Sequence, residues 1–313
     1  MNKTQQQDVL VIGEALVDIV KKTGNIAEHP GGSPANVALG LSRLGTPAVL
    51  LTWLAHDRYG EMIEAHLKAN GVQVQTASFA AHKTSSALAT IQENGSAVYD
   101  FDVTWELPAA TLNGTEALIH VGSFSALMDP GSKRILELLK QAKTRTVISY
   151  DPNARPALMG TPAEAQEALR QLLPLVDVVK LSDEDSQWFF NLDPTKADQR
   201  LKLAETIFEY GVKLLFITAG KSGAYLLSAS GYELGQQAGE VEVVDTVGAG
   251  DSFMAAILDG LRRLDCLGEQ GKEKIGKLSI PELEKLLNYA SRVADVTVSR
   301  AGANPPTQDE VAW

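Results

Sequence analysis

The sequence predicts an α/β fold in which helices cover both faces of a mostly parallel central sheet. From residue 117 onward, short apolar runs typical of buried strands alternate with longer runs typical of helices. Parallel strands need a crossover connection, usually a helix, so a parallel sheet produces this alternation. The 313 residues could hold two smaller domains, but they contain no repeats or clear linker. We therefore expect one domain over residues 1–313.

The first third of the chain predicts two buried strands and two helices. Ser33 and Pro34 indicate a helix start, with serine as the N-cap and proline at the first helical position. Gly45 is a typical stop after that helix. The strands are expected at residues 8–13 and 47–54, and the helices at residues 34–44 and 57–70.

A small accessory sheet is predicted over the main domain. The turn signal Glu93-Asn-Gly95 separates residues 86–92 from residues 97–101, and the two runs predict a hairpin. Both runs alternate apolar with polar residues, which indicates a half-exposed sheet. Residues 14–30 are expected to join this hairpin.

Strands and helices alternate along the rest of the chain. Residues 271–277 are mostly polar and are expected to form a loop. The strands are expected at 117–121, 146–150, 176–181 and 213–218, with the start of an antiparallel hairpin at 224–227. The helices are expected at about 131–142, 162–173, 249–264 and 281–299, with two more between 182 and 210.

Composition and charge exclude several classes of protein. The net charge of −11 argues against a nucleic-acid partner, because the chain has no basic stripe to neutralise phosphates. Cys266 is the single cysteine, so it forms neither an intramolecular disulfide nor a cysteine-based metal site. No apolar run approaches the roughly 18 residues of a membrane span, and the first residues lack a signal-peptide core. We therefore expect a cytoplasmic enzyme with no membrane partner.

Polar and glycine-containing clusters follow the predicted strands. Open parallel sheets bind ligands beyond the carboxyl ends of their strands, so these clusters are expected to gather at one edge. Their convergence predicts a site more strongly than any single motif does. The clusters are Gly13-Glu-Ala-Leu-Val-Asp18, Gly122-Ser123, Asp151-Pro-Asn-Ala-Arg155, Ser182-Asp-Glu-Asp185 and Thr218-Ala-Gly220.

The segment Asp245-Thr-Val-Gly-Ala-Gly-Asp251 places two glycines and an acid directly before a helix-forming run. Glycines at a helix start let backbone N–H groups surround an anion, and an acid beside them can accept a hydroxyl proton. The segment therefore indicates phosphoryl transfer. Taken alone, it is explained equally well as a tight turn whose acid is favoured by the helix dipole.

Two other glycine patterns do not fit nucleotide-binding motifs. Ala219-Gly-Lys-Ser222 is similar to the end of a P-loop, but the first glycine of that motif would fall at Leu215, inside a strand. The pair Gly248-x-Gly250 has Phe253 where a dinucleotide fingerprint needs a third glycine. The five histidines show no paired metal-ligand spacing.

A second informative segment, Gly31-Gly-Ser-Pro-Ala-Asn36, lies near the other end of the chain. Together with the segment from Asp245 to Asp251, it resembles the two signature segments of the ribokinase-like (PfkB) carbohydrate kinases. Within that family the chain is most similar to fructokinases, also at residues 13–18 and 151–158. The resemblance covers nearly the whole chain.

This resemblance implies a ribokinase-like three-layer α/β fold with a small β lid from about 14–30 and 86–104. It also implies a sugar beneath the lid and ATP in an adjoining groove. The expected partners are thus a small sugar and ATP. Exposed lid strands also allow a homodimer, because an unpaired edge invites a second chain, although a monomer is equally compatible with the sequence.

The resemblance implies a sugar site built from four segments of the chain. Asp18 would accept two sugar hydroxyls and Asn36 would bind another, while Gly31 and Gly32 would let backbone amides approach the sugar. Arg155 would bind a phosphate or a substrate oxygen through its planar guanidinium. A surface carboxylate at Asp18 and a helix-start salt bridge at Arg155 are the alternatives without a function.

The same resemblance implies the reaction chemistry. Asp251 would accept the proton of the attacking hydroxyl, and the backbone amides around Gly248, Ala249 and Gly250 would form an anion hole for the transferring phosphoryl group. A weak base suffices, because a loose phosphoryl-transfer transition state requires little early deprotonation.

Five residues match family positions beside the nucleotide. Thr218, Gly220 and Gly223 would line its phosphates and ribose, and Asn288 and Ser291 would flank its adenine. For each of the last two taken singly, a plain helix face is the simpler interpretation. Mg²⁺ would accompany ATP, since it prefers phosphate oxygens and water to an all-protein site.

One segment departs from the family pattern. Members often carry an Asn-x-x-Glu motif that orders Mg²⁺-bound water, and here Ser182 and Asp185 stand at its two ends. Either Asp185 reaches the metal shell through water, or Glu184 does part of that task. Asp245 and the loop 299–302 match the family's monovalent-cation site, so K⁺ is a further expected ion.

Alternatives to fructose stay open at this stage: 2-keto-3-deoxygluconate, ribose and a nucleoside. A sugar acid needs a cation for its carboxylate, and Arg155 is the only obvious candidate. A nucleoside needs an aromatic wall, which Phe101, Trp105 and Phe124 could supply. A catalytically silent sugar-binding protein is a rival of another class. The intact set of Gly248, Gly250 and Asp251 argues against it, because a protein without catalysis has no reason to keep all three.

Overall fold

The computed structural model describes residues 8–22, 25–91 and 97–313 of the chain. Within these residues the strands form two sheets, one of nine strands and one of four. Within the same residues, no helix is both long enough and apolar enough to cross a lipid bilayer. The predicted turn Glu93-Asn-Gly95 lies outside the described residues.

The elements of the first half, in chain order, are β1 Asp8–Ile12, β2 Leu16–Lys22, β3 Asn25–Gly31, α1 Ser33–Arg43, β4 Ala48–Leu51, α2 Arg58–Ala69, β5 Gln73–Val74, β6 Ser86–Ile91, β7 Ala97–Asp102, β8 Glu116–Gly122, α3 Gly131–Ala142 and β9 Val147–Asp151. Those of the second half are α4 Pro156–Met159, α5 Pro162–Leu172, β10 Val178–Ser182, α6 Asp183–Phe190, α7 Ala197–Phe208, β11 Leu214–Thr218, β12 Ala224–Ser228, β13 Glu233–Gln236, α8 Ala249–Arg263, α9 Gly268–Ile275 and α10 Ile280–Val298.

The large sheet is mostly parallel, as predicted. Its strand order is β13-β12-β11-β10-β9-β8-β1-β4-β5. The pairings from β5 through β11 are parallel, and β12 and β13 add an antiparallel edge. The expected hairpin after residue 224 is therefore present.

Two apolar cores lie on opposite faces of this sheet. Side chains alternate between the faces of a strand, so Val9 and Val11 of β1 pack in one core and Leu10 and Ile12 in the other. The first core also contains apolar residues of α1, α2, α8, α9 and α10, and the second contains those of α3, α5, α6 and α7. Helices on both faces of the sheet confirm the predicted three-layer α/β fold.

The small sheet has the strand order β3-β2-β6-β7. Short connections join it to the main domain: residues 13–15 link β1 to β2, and β3 is followed directly by α1. Its strands fall within the segments expected for the lid. A sugar beneath this sheet and the use of the sheet in a homodimer stay predictions.

Three local predictions were wrong. Residues 271–277 were expected to be a loop, but most of them belong to α9, which packs so closely that a Cβ on Gly271 would lie 2.2 Å from the backbone of Cys266. The strand expected at 47–54 ends at Leu51, because Leu54 instead donates its amide to the backbone oxygen of Ser78. Ser33 is not the N-cap of α1, which is Gly32, because its hydroxyl binds a distant carboxylate.

Candidate active site

Asp251 lies in the first turn of α8, facing the first turn of α1. Its Oδ1 accepts a hydrogen bond from the Ser33 hydroxyl at 2.7 Å, and its Oδ2 accepts one from the Asn36 amide Nδ2 at 2.8 Å. The carboxylate is only 7% exposed. Two helix N-termini therefore meet around one acid, and both favour its negative charge. Each oxygen keeps a second lone pair that can accept a proton from a substrate.

The turn before α8 presents backbone amides. Gly248 is the N-cap in a left-handed conformation with φ 76°, and a Cβ there would lie 2.7 Å from the Cβ of Ala303. Ala249 donates its amide to the Thr246 oxygen at 3.3 Å. Across the described chain, the amides of Gly248 and Gly250 have no acceptor. They leave two donors for an anion at a helix N-terminus.

Asp245 holds this turn against the loop after α10. Its Oδ1 accepts a hydrogen bond from the Val247 amide at 3.0 Å, and its Oδ2 accepts one from the Gly302 amide at 2.9 Å. The contact brings together the two segments that were predicted to bind a monovalent cation. Carboxylate and backbone oxygens are ligands that suit a hard cation, so the residues fit that role.

Asp18 of β2 pairs with His29 of β3, and its carboxylate lies against Gly31 two residues further along β3. A Cβ on Gly31 would lie 2.0 Å from the Asp18 Oδ2, so this glycine is required for the observed position of the acid. Burial raises the pKa of Asp18 to about 6, while the charges of Arg155 and His29 lower it and Asp251 raises it. The two predicted site acids thus lie close enough to repel each other.

Gly32 and Glu14 form the join between the two sheets. Gly32 has φ 103°, and a Cβ there would lie 2.5 Å from the backbone oxygen of Glu14, so only glycine fits. The side chain of Glu14 is buried, and burial raises its pKa to about 7, with hydrogen bonds to Ser125 and Ser123 lowering it. Glu14 belongs to the cluster 13–18 that was expected at this edge of the sheet, but the sequence indicated no role for it.

Arg155 is exposed at the start of α4. Its Nη1 donates to the Asn153 side-chain oxygen and to the Ala154 backbone oxygen, both at 2.9 Å. In the part of the chain that the structure covers, it forms no ion pair within 4.0 Å, so the helix-start salt bridge is not found. Its positive charge lowers the pKa values of Glu14 and Asp18, so the guanidinium acts on both acids through space.

The predicted nucleotide residues lie on β11, the turn after it, and α10. Thr218 ends β11, and Gly220 opens a single 3-10 turn that is followed by β12, so a P-loop is absent there. Gly223 has φ 86°, and a Cβ there would lie 2.0 Å from the Gln236 oxygen. Ser291 is buried, with no partner for its hydroxyl among the described residues, and Asn288 lies in a surface depression beside the C-terminal tryptophan. Their roles stay predictions.

Both carboxylate oxygens of Asp185 accept hydrogen bonds from backbone amides. Its Oδ2 accepts a hydrogen bond from the Ser182 amide at 2.8 Å, and its Oδ1 accepts one from the Ala154 amide at 2.7 Å. It thereby caps α6 and holds residue 154 in place, while Glu184 is exposed. Within the described residues, no group of three or more His, Cys, Asp or Glu side chains could hold a metal ion. Asp185 and Glu184 supply carboxylate oxygens, a ligand type that Mg²⁺ takes beside phosphate oxygens and water.

Comparison with known proteins identifies the family. The family profile described as pfkB family carbohydrate kinase matches residues 6–310 of the chain. The chain belongs to the pfkB family of carbohydrate kinases. It is 31% identical to fructokinase-1 of Oryza sativa subsp. japonica over 97% of the chain and 96% of that protein. It is also 32% identical to a fructokinase of Rhizobium leguminosarum bv. trifolii, over 81% of the chain and 79% of that protein.

Solved structures share the fold of this carbohydrate kinase. An uncharacterized sugar kinase from Pyrococcus horikoshii in complex with ATP has a TM-score of 0.75 and 26% identity, with coverage of 97% of this chain and 96% of the other. A fructokinase double mutant from Vibrio cholerae O395 in fructose, ADP and potassium ion bound form has a TM-score of 0.76 and 22% identity, with coverage of 95% and 94%. At that lower identity the second comparison supports the fold alone.

Two features of this carbohydrate kinase were missed by the sequence interpretation. Ser33 binds Asp251 directly, although its position before Pro34 indicated only a helix cap. Lys180 is buried within β10 in an ion pair with Asp151 at 2.9 Å. A signal for it was present, because a lysine in the run Val178-Val-Lys-Leu-Ser182 is a charge where a buried strand is expected.

Gly31→Ala is expected to raise the KM for the sugar by about ten- to a hundredfold with a smaller change in kcat. The added methyl group would lie 2.0 Å from the Asp18 carboxylate and must displace it, and small displacements of binding groups have effects of this size. Steady-state kinetics with varied sugar would measure the change. Gly276→Ala is the control, since a Cβ there meets nothing within 4 Å. An unchanged KM in Gly31→Ala would contradict the placement of the sugar beside Asp18.

Proposed function

We propose that this protein transfers the γ-phosphoryl group of ATP to a hydroxyl of fructose, giving fructose 6-phosphate and ADP. The observation that carries the proposal is the junction of α1 and α8. There Asp251 is held by Ser33 and Asn36 beside the unpaired amides of Gly248 and Gly250. A fixed carboxylate next to an anion-binding turn is the arrangement that phosphoryl transfer to a hydroxyl requires. The fructokinase relatives support fructose as the acceptor.

Asp251 is the proposed base. Its hydrogen bonds from Ser33 and Asn36 fix both oxygens, so the carboxylate can hold the acceptor hydroxyl in one orientation and receive its proton as the phosphoryl group moves. The amides of the Gly248 to Gly250 turn stabilise the charge on the transferring group. Asp18 accepts hydrogen bonds from other sugar hydroxyls, and Arg155 binds an oxygen of the substrate from the exposed side.

The residues that would hold ions are compatible with the chemistry of Mg²⁺ and K⁺. Mg²⁺ neutralises phosphate charge when ATP is bound, and Asp185 or Glu184 would contact its water shell. Asp185 can do this only through its remaining lone pairs, since both oxygens already accept backbone hydrogen bonds. Asp245 and the loop 299–302 would bind K⁺, and Asp245 already joins these two segments.

The structure gives little support to a nucleoside as acceptor. Trp105 and Phe124 are each 2% exposed, so their rings lie in the core and are not free to stack on a base. Phe101 of β7, the third aromatic candidate, is partly exposed and is the one that stays open. Gly131 packs against the Trp105 ring, which fixes the ring there. A sugar acid keeps one observation in its favour, because the Arg155 guanidinium is exposed and lies near Asp18.

A sugar panel tests the proposal. Fructose, ribose and 2-keto-3-deoxygluconate would be compared as substrates at equal concentrations in the presence of ATP. We expect kcat/KM for fructose to be at least about tenfold higher than that for either of the other two. ADP release would be measured with and without each sugar. A higher kcat/KM with another sugar would show that this sugar, and not fructose, is the acceptor, and it would leave the kinase activity as proposed. Thermal stabilisation by fructose with no ADP release from any sugar would identify a silent sugar-binding protein instead.

A further inference from the structure

A lysine is buried in the large sheet close to the proposed anion hole. Lys180 on β10 is 3% exposed, and its Nζ donates a hydrogen bond to the Asp151 Oδ2 at 2.9 Å. Asp151 is itself fully buried at the end of β9. Removing two charges from water costs several kcal/mol for each ion, which their mutual attraction repays only in good geometry. A buried pair at this place therefore needs an explanation beyond stability.

The ammonium lies directly beside the first turn of α8. A Cβ on Gly250 would be 2.9 Å from the Lys180 Nζ, so a side chain at position 250 would meet the charge. The N-terminus of a helix is its positive end and repels a nearby cation. The charge of Lys180 therefore has an unfavourable interaction with the N-terminus of α8. Its interaction with a negatively charged group bound at that turn would be favourable.

The titratable groups around Lys180 come from four elements of the fold, and those on three of them are carboxylates. The carboxylates of Asp151 on β9, Asp185 on α6 and Asp251 on α8 all act on it. Burial alone lowers the pKa of Lys180, but these carboxylates more than offset burial, so its pKa lies above the ordinary value and the group stays charged. On β8, burial and the charge of Lys180 lower the pKa of His120 to about 3, which keeps that ring neutral.

We infer that Lys180 is a positioning residue for phosphoryl transfer, whose fixed charge strengthens the Gly248 to Gly250 anion hole from inside the protein. Asp151 holds the ammonium in place. The inference rests on the proposed function, because it assigns Lys180 to the same reaction. A charge in the water-excluded interior acts more strongly than one in solvent, so it can stabilise the transferring phosphoryl group without touching it.

The test separates this role from a structural one. Lys180→Met and Asp151→Asn alone each leave a buried partner unpaired and are expected to lower stability. The double variant K180M/D151N restores a neutral pair, so its thermal midpoint is expected to recover toward that of the wild type. Its kcat is nevertheless expected to stay about 10²-fold below wild type, the size reported for loss of one anion-hole donor, with the KM values for ATP and fructose within about threefold.

A second readout does not depend on turnover. ADP with aluminium fluoride and Mg²⁺ mimics the transferring phosphoryl group, and its affinity for the double variant is expected to fall by the same factor as kcat, while ADP alone binds nearly unchanged. Lys272→Met is the matched control. Lys272 pairs with Asp177 before the start of β10, away from the anion hole, so its loss is expected to lower stability and leave kcat unchanged.

Two outcomes would overturn the inference. The first is a double variant that regains both its thermal midpoint and a kcat within about threefold of wild type. The second is unchanged affinity for ADP with aluminium fluoride. If the wild-type protein turns over no sugar, the proposed function is rejected independently of the role of Lys180. The affinity for ADP with aluminium fluoride then still shows whether Lys180 strengthens an anion site.

Discussion

Asp251→Asn is expected to lower kcat by about 10²- to 10⁴-fold while sugar affinity and fold are retained. The asparagine keeps the shape of the side chain but has no carboxylate to accept a proton. Its Oδ1 can still accept the Ser33 hydroxyl, whereas its amide group faces the Nδ2 donor of Asn36. This conflict is expected to cost about 1–3 kcal/mol of stability, because one buried donor loses its acceptor.

The swapped variant D251N/N36D is the control for that loss. It restores one carboxylate and one amide in contact, so the free energy of unfolding is expected to recover. Its kcat is expected to stay low, because the carboxylate now projects from α1 instead of α8. Kinetics, calorimetric fructose binding and thermal unfolding measure the three properties. Near-wild-type turnover in Asp251→Asn, or restored turnover in the swap, would reject the assignment of Asp251 as the base.

Most of the fold could be predicted because its signals are local. The strand β1 is a continuous apolar run closed by glycine, and α8 is a long apolar run that follows a glycine turn. The helix α9 could not be predicted in the same way. Its eight residues bury only Gly271 and Ile275, so its apolar pattern is too short to show a period, and its position depends on close packing against Cys266.

The site was predictable as a set of residues and not as a set of contacts. Asp251 and Asn36 were each singled out from their own segments, but a hydrogen bond between residues 215 positions apart has no signal in sequence. Ser33 shows the same limit. A serine before proline predicts a local cap, and only the folded chain shows that a distant carboxylate takes its hydroxyl instead.

Asp18→Asn is expected to stabilise the unliganded protein above pH 6 while it weakens sugar binding. Burial raises the pKa of Asp18 from 3.8 to about 6, so the folded protein binds this proton more tightly than the unfolded chain does. The ionised carboxylate therefore lowers the free energy of unfolding above pH 6. This penalty disappears as the pH falls through 6 towards 3.8, since the folded form becomes neutral first. At pH 7.5 the gain from the substitution is at most about 3 kcal/mol.

Sugar binding is expected to change in the opposite direction. An ionised acceptor contributes about 1.5–3 kcal/mol per hydrogen bond, so the KM of Asp18→Asn is expected to rise by about tenfold to a few hundredfold. The KM of the wild type should also rise as the pH falls below 6, and that of the variant should not. Thermal unfolding and sugar kinetics at pH 5 and pH 7.5 would measure both effects. Asp100→Asn, an exposed aspartate on β7 of the same small sheet, is expected to change neither.

The opposite signs of these two effects distinguish a binding residue from a structural one. Neutralising a carboxylate that stabilises the fold would lower the free energy of unfolding. The buried Asp259 is expected to behave in this way, because it accepts hydrogen bonds from Thr46, Arg262 and Arg263. Among the described residues Asp18 accepts no comparable set of hydrogen bonds, and burial disfavours its charge, although the charges of Arg155 and His29 offset part of that cost. A variant that is less stable at pH 7.5 and binds sugar normally would assign Asp18 to the fold. A variant that is more stable and binds sugar poorly would assign it to the sugar.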